Sequence, residues 1–218
     1  DELVNRMPYT LSLGVLSTLI ASIISIPLGT LTAVKHNTPA DYIVTFLCLL
    51  FAAMPGFWLA IILQIYLSLQ TGWFPAYGMG TMRHFVLPVI AVCAASVATN
   101  IRSTRTWVLD VIRSDYVRTA RAKGASEVVV IMKHALRNAL LPVVTGFGSA
   151  FAGVLGGSVV IETVFAIPGI STYLTSAVKT RDMPIIMGCI LVISVFVGVV
   201  NLLVDLMYSV IDPRVKYE

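Results

Sequence analysis

The stretch PIIMGCILVISVFVGVVNLLVDLMYSV, residues 184–210, decides the fold class of this chain. Asp205 is its only charged side chain. A helix needs about 20 mostly apolar residues to cross the hydrocarbon core of a bilayer. The stretch therefore predicts a membrane-spanning helix.

Four further apolar stretches precede it, at residues 9–34, 42–69, 85–109 and 139–166. The third of these is the weakest, because Asn100, Arg102 and Arg105 lie in its last turns. Prolines in or near the stretches are interpreted as the kinks that membrane helices tolerate; they are Pro27, Pro55, Pro88 and Pro142. The chain is thus predicted to be an all-α polytopic membrane protein, with five transmembrane helices in a single domain, residues 1–218.

The composition agrees with this class, since 57% of the 218 residues are hydrophobic and only 12% are charged. Soluble domains carry about 25% charged residues, so the composition argues against a soluble protein and against a disordered tail. The net charge of +4 comes without the interleaved basic and aromatic side chains that would suggest nucleic-acid binding. The cysteines and histidines are too scattered for a disulfide or metal framework; they are Cys48, Cys93, Cys189, His36, His84 and His134.

Basic residues predict the orientation, because cytoplasmic loops carry an excess of Lys and Arg. Most of the 15 basic residues fall on one side, at Lys35, in residues 102–137, and at Arg214 and Lys216. The other side receives Arg6, Arg83, Lys179 and Arg181. The carboxyl terminus is therefore predicted to be cytoplasmic and the amino terminus external. Because no signal-peptide pattern opens the sequence, we expect a further helix before this point.

Residues 114–142, SDYVRTARAKGASEVVVIMKHALRNALLP, are polar by the standards of this chain. Ser114 or Asp115 can cap a short helix that runs through Lys123. Gly124 fits the left-handed position just beyond the end of such a helix. This part of the sequence predicts a helix that stops at a glycine corner.

A second helix is predicted after the corner, where Ser126 can act as the cap and Glu127 interacts favourably with the helix dipole. The basic side chains leave open a solvated loop or one that binds lipid headgroups. Several apolar side chains are unusual for a free loop and favour a knob that enters a groove on a soluble partner; they are Val117, Ala120, Ala122, Ala125 and residues 128–132.

Four stretches together resemble a known family. Arg118-Thr119-Ala120, followed after three residues by Gly124, resembles the EAA motif of permease subunits from ATP-binding-cassette importers. The wider stretch DYVRTARAKGASE…HALRNALLP is similar to the first permease subunit of dipeptide, oligopeptide and nickel importers. Further matches are IETVFAIPG at residues 161–169, the tail from Asn201 and Asp205 to Asp212-Pro213-Arg214, and TGWFP at residues 71–75. The resemblance spans nearly the whole chain and implies the fold of a type I importer permease.

The resemblance also implies a coupling role for residues 110–138, as a cytoplasmic loop that docks into a cleft of an ATPase subunit. The corner would be formed by Ala120, Gly124 and Ala125. The implied ATPase-coupling residues are Arg118, Thr119, Ala120, Arg121, Lys123, Gly124, Ala125 and Ser126. The sequence departs from the family pattern at Arg118, where the motif has glutamate, and at Arg137, where many relatives carry proline.

The implied assembly lies in the bacterial cytoplasmic (inner) membrane and contains a second permease subunit, two ATPase subunits and an external substrate-binding protein. This chain lacks a phosphate-binding G-x-x-x-x-G-K-[ST] loop, so ATP and its magnesium ion are expected on the ATPase subunits, and this chain is not expected to be an enzyme or to bind a cofactor. The implied cargo is dipeptides or oligopeptides, with nickel or another metal complex as the alternative.

A few residues inside the predicted helices are candidates for helix packing or for the transport pathway. Ser149, Gly153 and Gly157 recur at a spacing that lets helices approach closely. Polar groups in membrane helices often serve function, which singles out Glu162, Asn100 and Asp205. The alternative for each is structural, as packing within the subunit or as a satisfied hydrogen bond.

Two other classes of membrane protein are alternatives to an importer permease. A stand-alone secondary transporter or channel would be expected to show ion-coupling carboxylates at mid-membrane and repeated halves. A membrane-embedded enzyme would need paired catalytic groups at depth. The sequence shows none of these features.

Overall fold

The computed structural model describes residues 2–136, 139, 143, 146, 148–154 and 158–211, with side chains for all of these except 134, 205 and 207–211. Every regular element in this part of the chain is helical. The predicted all-α class is confirmed.

The amino-terminal half is dominated by two long helices, α1 (Glu2–Val34) and α4 (Arg83–Ile112). They pack along much of their lengths. At Gly29 the backbones come so close that an added Cβ would lie 2.7 Å from the Thr104 Cβ and 2.8 Å from the Ile101 carbonyl oxygen. Glycine is therefore required there by space.

The second predicted helix, residues 42–69, is not one kinked helix. Helix α2 (Pro39–Ala53) ends before Met54, which is extended, and α3 (Gly56–Leu63) begins after Pro55 and continues as a π-helix through Gln64–Gln70. The two parts meet at an angle of 94°. Proline disfavours the helical region for the residue before it, and the extended Met54 breaks the helix at Pro55, whereas α1 and α4 continue through Pro27 and Pro88. The prediction of a tolerated kink at Pro55 is wrong.

Among the described residues, three helices are long and apolar enough to cross a membrane: α1, α4 and the Met183–Val204 part of the last helix. The broken pair of α2 and α3 makes a fourth if it counts as one span. Nine residues of the predicted span 139–166 lie outside the described residues and interrupt this stretch, so the count of five stays a prediction. The weakest predicted span, 85–109, is part of the continuous helix α4.

The carboxyl-terminal half adds α7 (Val159–Val164), α8 (Ile170–Thr180) and α9 (Met183–Ile211). The main apolar core joins α1, α3, α4 and α7 around Leu13, Ala60, Leu87 and Phe165. Along α9, by contrast, Met187, Leu191 and Val195 are each 63% exposed. Uncovered apolar surface of this extent is typical of a helix that faces lipid or another subunit.

A smaller core lies at the predicted cytoplasmic end. Ala33 of α1, Val108 of α4 and Ala139 are buried together, with Trp107 and Ile112 packed against them. This cluster, which we call the inner core, supports the elements that carry the candidate site.

Candidate functional site

The predicted coupling loop is a bent helix attached to the end of α4. Only Arg113 and Ser114 separate α4 from α5 (Asp115–Ala122). Ser114 occupies the cap position, as predicted, but its hydroxyl donates to the Val111 carbonyl at 2.6 Å and makes no hydrogen bond to α5. The Ser114 N–H donates to the same carbonyl at 3.0 Å, so Ser114 closes the end of α4 through both its backbone and its side chain. The short link means that α5 cannot move far without moving α4.

The corner predicted at Gly124 is confirmed. Gly124 has φ +79°, its N–H donates to the Arg121 carbonyl at 2.9 Å, and the Ala125 N–H donates to the Ala120 carbonyl at 3.3 Å. This pair of hydrogen bonds is the Schellman motif that closes a helix on a left-handed residue. An added Cβ at Gly124 would meet nothing within 4 Å. Glycine is favoured there by its backbone conformation alone.

An ion pair braces the corner from outside. Arg121 at the end of α5 donates from Nε and Nη2 to the two carboxylate oxygens of Glu127, at 3.1 and 2.7 Å. Glu127 begins α6 (Glu127–Val129), which continues as a π-helix through Val130–Leu136. The Arg121 guanidinium lowers the pKa of Glu127, because its hydrogen bonds favour the carboxylate. Arg121 therefore links α5 to α6 across the corner, a role that the sequence did not suggest.

The surface of the corner is open and basic. Arg118 has a side chain that is 76% exposed and only a 3.8 Å contact with Asp115. Lys123, Thr119 and Ser126 are also exposed. These side chains could meet a partner without first breaking a buried contact.

The apolar residues of the loop divide into two sets. Val117 and Val130 are fully buried and hold the loop against its own chain, whereas Val128 is 70% and Met132 57% exposed. Val128 and Met132 line an open apolar cavity together with Pro27 and Leu31 of α1, so they are accessible to a partner, whereas Val117 and Val130 are already covered by this chain.

The stretch IETVFAIPG folds into a second corner, around a buried carboxylate. Glu162 is completely buried, and its carboxylate accepts hydrogen bonds from Thr10 Oγ1 at 2.9 Å, Ser158 Oγ at 3.0 Å and the Thr172 N–H at 3.1 Å. These donors come from α1, from the start of α7 and from α8. Glu162 thus ties three elements together.

Glycine is required below this carboxylate. An added Cβ at Gly169 would lie 2.6 Å from both the Glu162 carboxyl carbon and Thr10 Oγ1. The intervening chain turns back through Ala166 at φ +50°, and the Ile167 N–H donates to the Glu162 carbonyl at 2.8 Å. The Glu-to-Gly spacing of this stretch is explained by packing around one buried acid.

An open cavity of about 420 Å³ lies between α4 and the helical segment 148–154. Asn100 and Gly153, two of the predicted candidates, both line it, together with Ser96, Thr99 and Ser158. The Asn100 amide nitrogen is buried and has no hydrogen-bond partner. A polar group of this kind at the middle of a long apolar helix is suited to contact with a polar solute that enters the cavity.

Comparison with known proteins identifies the family. The model of the binding-protein-dependent transport system inner membrane components matches residues 25–217. The oligopeptide transport system permease protein AppB of Bacillus subtilis (strain 168) is 42% identical over 222 residues, which are 97% of this chain and 70% of that protein. This chain belongs to the family of binding-protein-dependent transport system inner membrane components.

A second relative of this inner membrane component is the dipeptide transport system permease protein DppB of Alkalihalophilus pseudofirmus. It is 37% identical over 245 residues, which cover 100% of this chain and 74% of the relative. The resemblance stated from the motifs is confirmed by both matches.

Solved structures give the fold of the inner membrane component. The MetNI methionine ABC transporter, in an inward-facing crystal form, matches with a TM-score of 0.80 at 16% identity over 96% of each chain. An amino acid ABC transporter crystallised with histidines matches with a TM-score of 0.67 at 14% identity, over 98% of this chain and 94% of the other. The predicted fold of a type I importer permease is confirmed.

The remaining predicted packing or pathway residues of this chain are not brought together in the same way. Ser149 is exposed near the cavity, while Gly157 lies outside the described residues, as does the side chain of Asp205. Among the described residues, no group of three or more His, Cys, Asp or Glu side chains could hold a metal ion.

The ion pair between Arg105 and Asp41 is not predicted from the sequence. The sequence pattern presents Arg105 as a polar interruption of a span, and the structure shows it hydrogen-bonded to Asp41 at the start of α2. Both residues were predicted on the same side of the membrane, at the ends of neighbouring spans. That coincidence is the signal that could have suggested the contact.

Proposed function

We propose that this chain is a translocation subunit of an ATP-driven importer of dipeptides or oligopeptides. The observation that carries the proposal is the exposed Gly124 corner, attached to α4 by two residues. The family to which the chain belongs consists of membrane components of binding-protein-dependent transport systems. The corner offers a way to couple it to an ATPase.

The proposed coupling is mechanical. In this proposal α5 and α6, within the cytoplasmic loop 110–138, dock into an ATPase subunit, with Arg118, Lys123 and the exposed Val128 as contacts. The short link at Ser114 then passes movement of α5 into α4. Two ATPase subunits would carry ATP and magnesium, and the chain itself would catalyse no reaction.

The proposed assembly completes the pathway. A second permease subunit would cover the exposed faces of this chain, and an external binding protein would deliver the cargo. The cavity at Asn100 would then face the shared pathway. The assembly would lie in the bacterial cytoplasmic membrane, with the carboxyl terminus inside.

Peptides are proposed as the cargo because the relatives described above are named as oligopeptide and dipeptide permeases. Nickel, which the motifs left open, has no such support here. The cavity lining of small and neutral polar side chains also suits an uncharged backbone better than a bare cation.

The test is ATP hydrolysis and uptake by the complex assembled from the full-length gene and its neighbouring genes in lipid. We expect hydrolysis to rise with a peptide-loaded binding protein and not with a nickel-loaded one. Stimulation by nickel alone would change the cargo but keep the architecture. Failure of any ATPase subunit to copurify would reject the coupling role and favour a stand-alone transporter.

A pair of variants at the corner tests the coupling itself. Gly124→Val should reach the membrane yet lose uptake per ATP hydrolysed, because a β-branched residue in the left-handed region costs about 1–2 kcal/mol. Gly124→Asn is the matched control, since asparagine tolerates that region, and it should retain most of the coupling. Equal uptake by Gly124→Val and the parent protein would contradict the proposal.

A further inference from the structure

A partly buried ion pair links α4 to the start of α2, next to the turn between α1 and α2. Arg105 Nε donates to Asp41 Oδ1 and Arg105 Nη2 donates to Asp41 Oδ2, both at 2.8 Å. Asp41 is only 2% exposed. The Asn37 N–H, in a turn residue with φ +60°, donates to the same carboxylate at 3.1 Å. We call Arg105 and Asp41 the inner clamp.

His36 completes the geometry of the inner clamp. Its Nδ1 lies 2.8 Å from Arg105 Nη2 and 3.3 Å from Asp41 Oδ2. A guanidinium can only donate, so Nδ1 is the acceptor from Arg105 in the tautomer that leaves this nitrogen unprotonated. Arg105 therefore has two acceptors, one from each side of the α1–α2 turn, and its planar group is fixed in direction.

The position of the inner clamp matters more than its strength. Arg105 is seven positions before the end of α4 at Ile112, which is about 10 Å along a helix, and α5 follows at once. On the opposite side Asp41 lies in the first turn of α2. The inner core connects α4 to α1 at the same level through Val108 and Ala33. The clamp adds the start of α2 to that rigid group.

Stability alone is a weak reason for such a pair. Burying two charges costs solvation that their attraction roughly repays, and apolar residues of similar size often serve as well or better. What a bidentate pair supplies that an apolar contact does not is a fixed direction and distance between two elements. Two helices can slide along an apolar contact, whereas the two parallel hydrogen bonds between Arg105 and Asp41 form in only one relative position of the side chains.

We propose that Arg105 and Asp41 are positioning residues for coupling, which make the α1–α2 turn follow α4 when α5 is moved. This inference rests on the proposed function, because it needs an ATPase that moves α5. When α4 tilts, the inner clamp carries the first turn of α2 with it, and the break at Met54–Pro55 lets that half turn without the other. Without the clamp, the start of α2 would follow α4 only through apolar packing such as the cluster of Cys48, Ala98 and Ile101, which fixes direction and distance less closely.

The test compares variants of the complete complex in lipid, with uptake per ATP hydrolysed as the readout. The double variant Asp41→Asn with Arg105→Gln removes both charges and leaves none of them buried alone, so a merely structural pair should be replaced without loss of coupling. We expect this variant to bind the ATPase subunits as the parent does, with uptake per ATP lower by roughly fivefold or more. Arg102→Gln is the matched control, since it removes a basic residue that is exposed three positions away on the same helix, and it should behave as the parent.

The outcomes separate the two proposals. Parental uptake per ATP in an assembled double variant overturns the clamp and leaves the importer assignment intact. If the parent protein does not bind an ATPase subunit, the proposed function is rejected. If the double variant does not assemble, Arg105→Lys decides, because it keeps the charge and loses the fork; we expect an intermediate loss of uptake per ATP, and a parental value would overturn the clamp.

Discussion

Glu162 shows why a single buried acid can be matched to its surroundings without a basic partner. Its carboxylate accepts from Thr10, Ser158 and the Thr172 N–H, and every one of these groups donates. An ionised carboxylate offers about four acceptor sites and no donor. An amide in the same place would offer fewer acceptor sites to these three donors.

Replacing Glu162 with glutamine tests that difference. Glu162→Gln places an NH₂ group against donors, which leaves at least one buried hydrogen bond unmade, at a cost of about 1–3 kcal/mol. We expect a lower midpoint of thermal unfolding for the detergent-solubilised protein. Glu2→Gln is the control, because the Glu2 side chain is 66% exposed in its pair with Arg6. Equal midpoints for both variants would show that the amide is accommodated.

The Arg121–Glu127 pair gives a prediction that depends on pH. The pKa of Glu127 is lowered in the folded protein, so the pair stabilises the corner above the ordinary glutamate pKa of 4.5. That contribution is lost as the pH falls through the lowered value. Both side chains are well exposed, at 38% and 55%, which limits the gain to about 0.5 kcal/mol.

Hydrogen–deuterium exchange can measure this effect by comparing the parent with Glu127→Gln at matched pH. At pH 7 the parent should exchange more slowly over residues 115–130. The difference should shrink below about pH 4.5 and in high salt, which screens exposed charges. A difference that is independent of pH would mean that the pair does not brace the corner.

At the scale of elements, contact between helices depends on where small residues lie. Gly29 lets α1 reach α4 at Thr104 and Ile101, whereas an added Cβ at Gly198 of α9 would meet nothing within 4 Å. Gly29→Ala should lower the stability of the protein by about 1–3 kcal/mol, because the two backbones must separate. The measurement is the midpoint of denaturation in detergent.

Gly198→Ala supplies the comparison for the same chemical change without a neighbour. It should be neutral or stabilising by up to about 1 kcal/mol, since alanine is the better helix former. If Gly29→Ala is as stable as Gly198→Ala, the close contact between α1 and α4 does not limit stability.

Some elements could be predicted from the sequence because their causes are local. The apolar run at 184–210 predicted α9, and Gly124 between two polar helices predicted a left-handed corner, both of which the structure contains. The break at Met54–Pro55 was missed because hydropathy cannot tell a kinked proline from a proline that ends a helix. Arg105 with Asp41, and Glu162 with Thr10, join residues far apart in sequence, and nothing in either local pattern names the partner.

At the scale of the whole molecule, the predicted path of the chain across the membrane can be tested by the accessibility of its loops. The distribution of basic residues predicts that the corner at Ser126 lies inside and that the loop at Tyr77 and the end of α8 at Lys179 lie outside. Tyr77, Ser126 and Lys179 are all exposed. The native cysteines are buried, each at 6% exposure or less, so an introduced cysteine will dominate labelling.

We therefore expect a membrane-impermeant maleimide to label Tyr77→Cys and Lys179→Cys in spheroplasts, and Ser126→Cys only in inverted vesicles. The change of side between 77 and 126 requires α4 to cross. The change back between 126 and 179 requires a crossing within residues 139–166, the span that the described helices leave untested. The parent protein, with its buried cysteines, is the control for background. If Lys179→Cys and Ser126→Cys are labelled from the same side, the segment 139–166 does not cross, the five-span prediction is wrong, and the buried Glu162 corner belongs to the cytoplasmic face with the coupling loop.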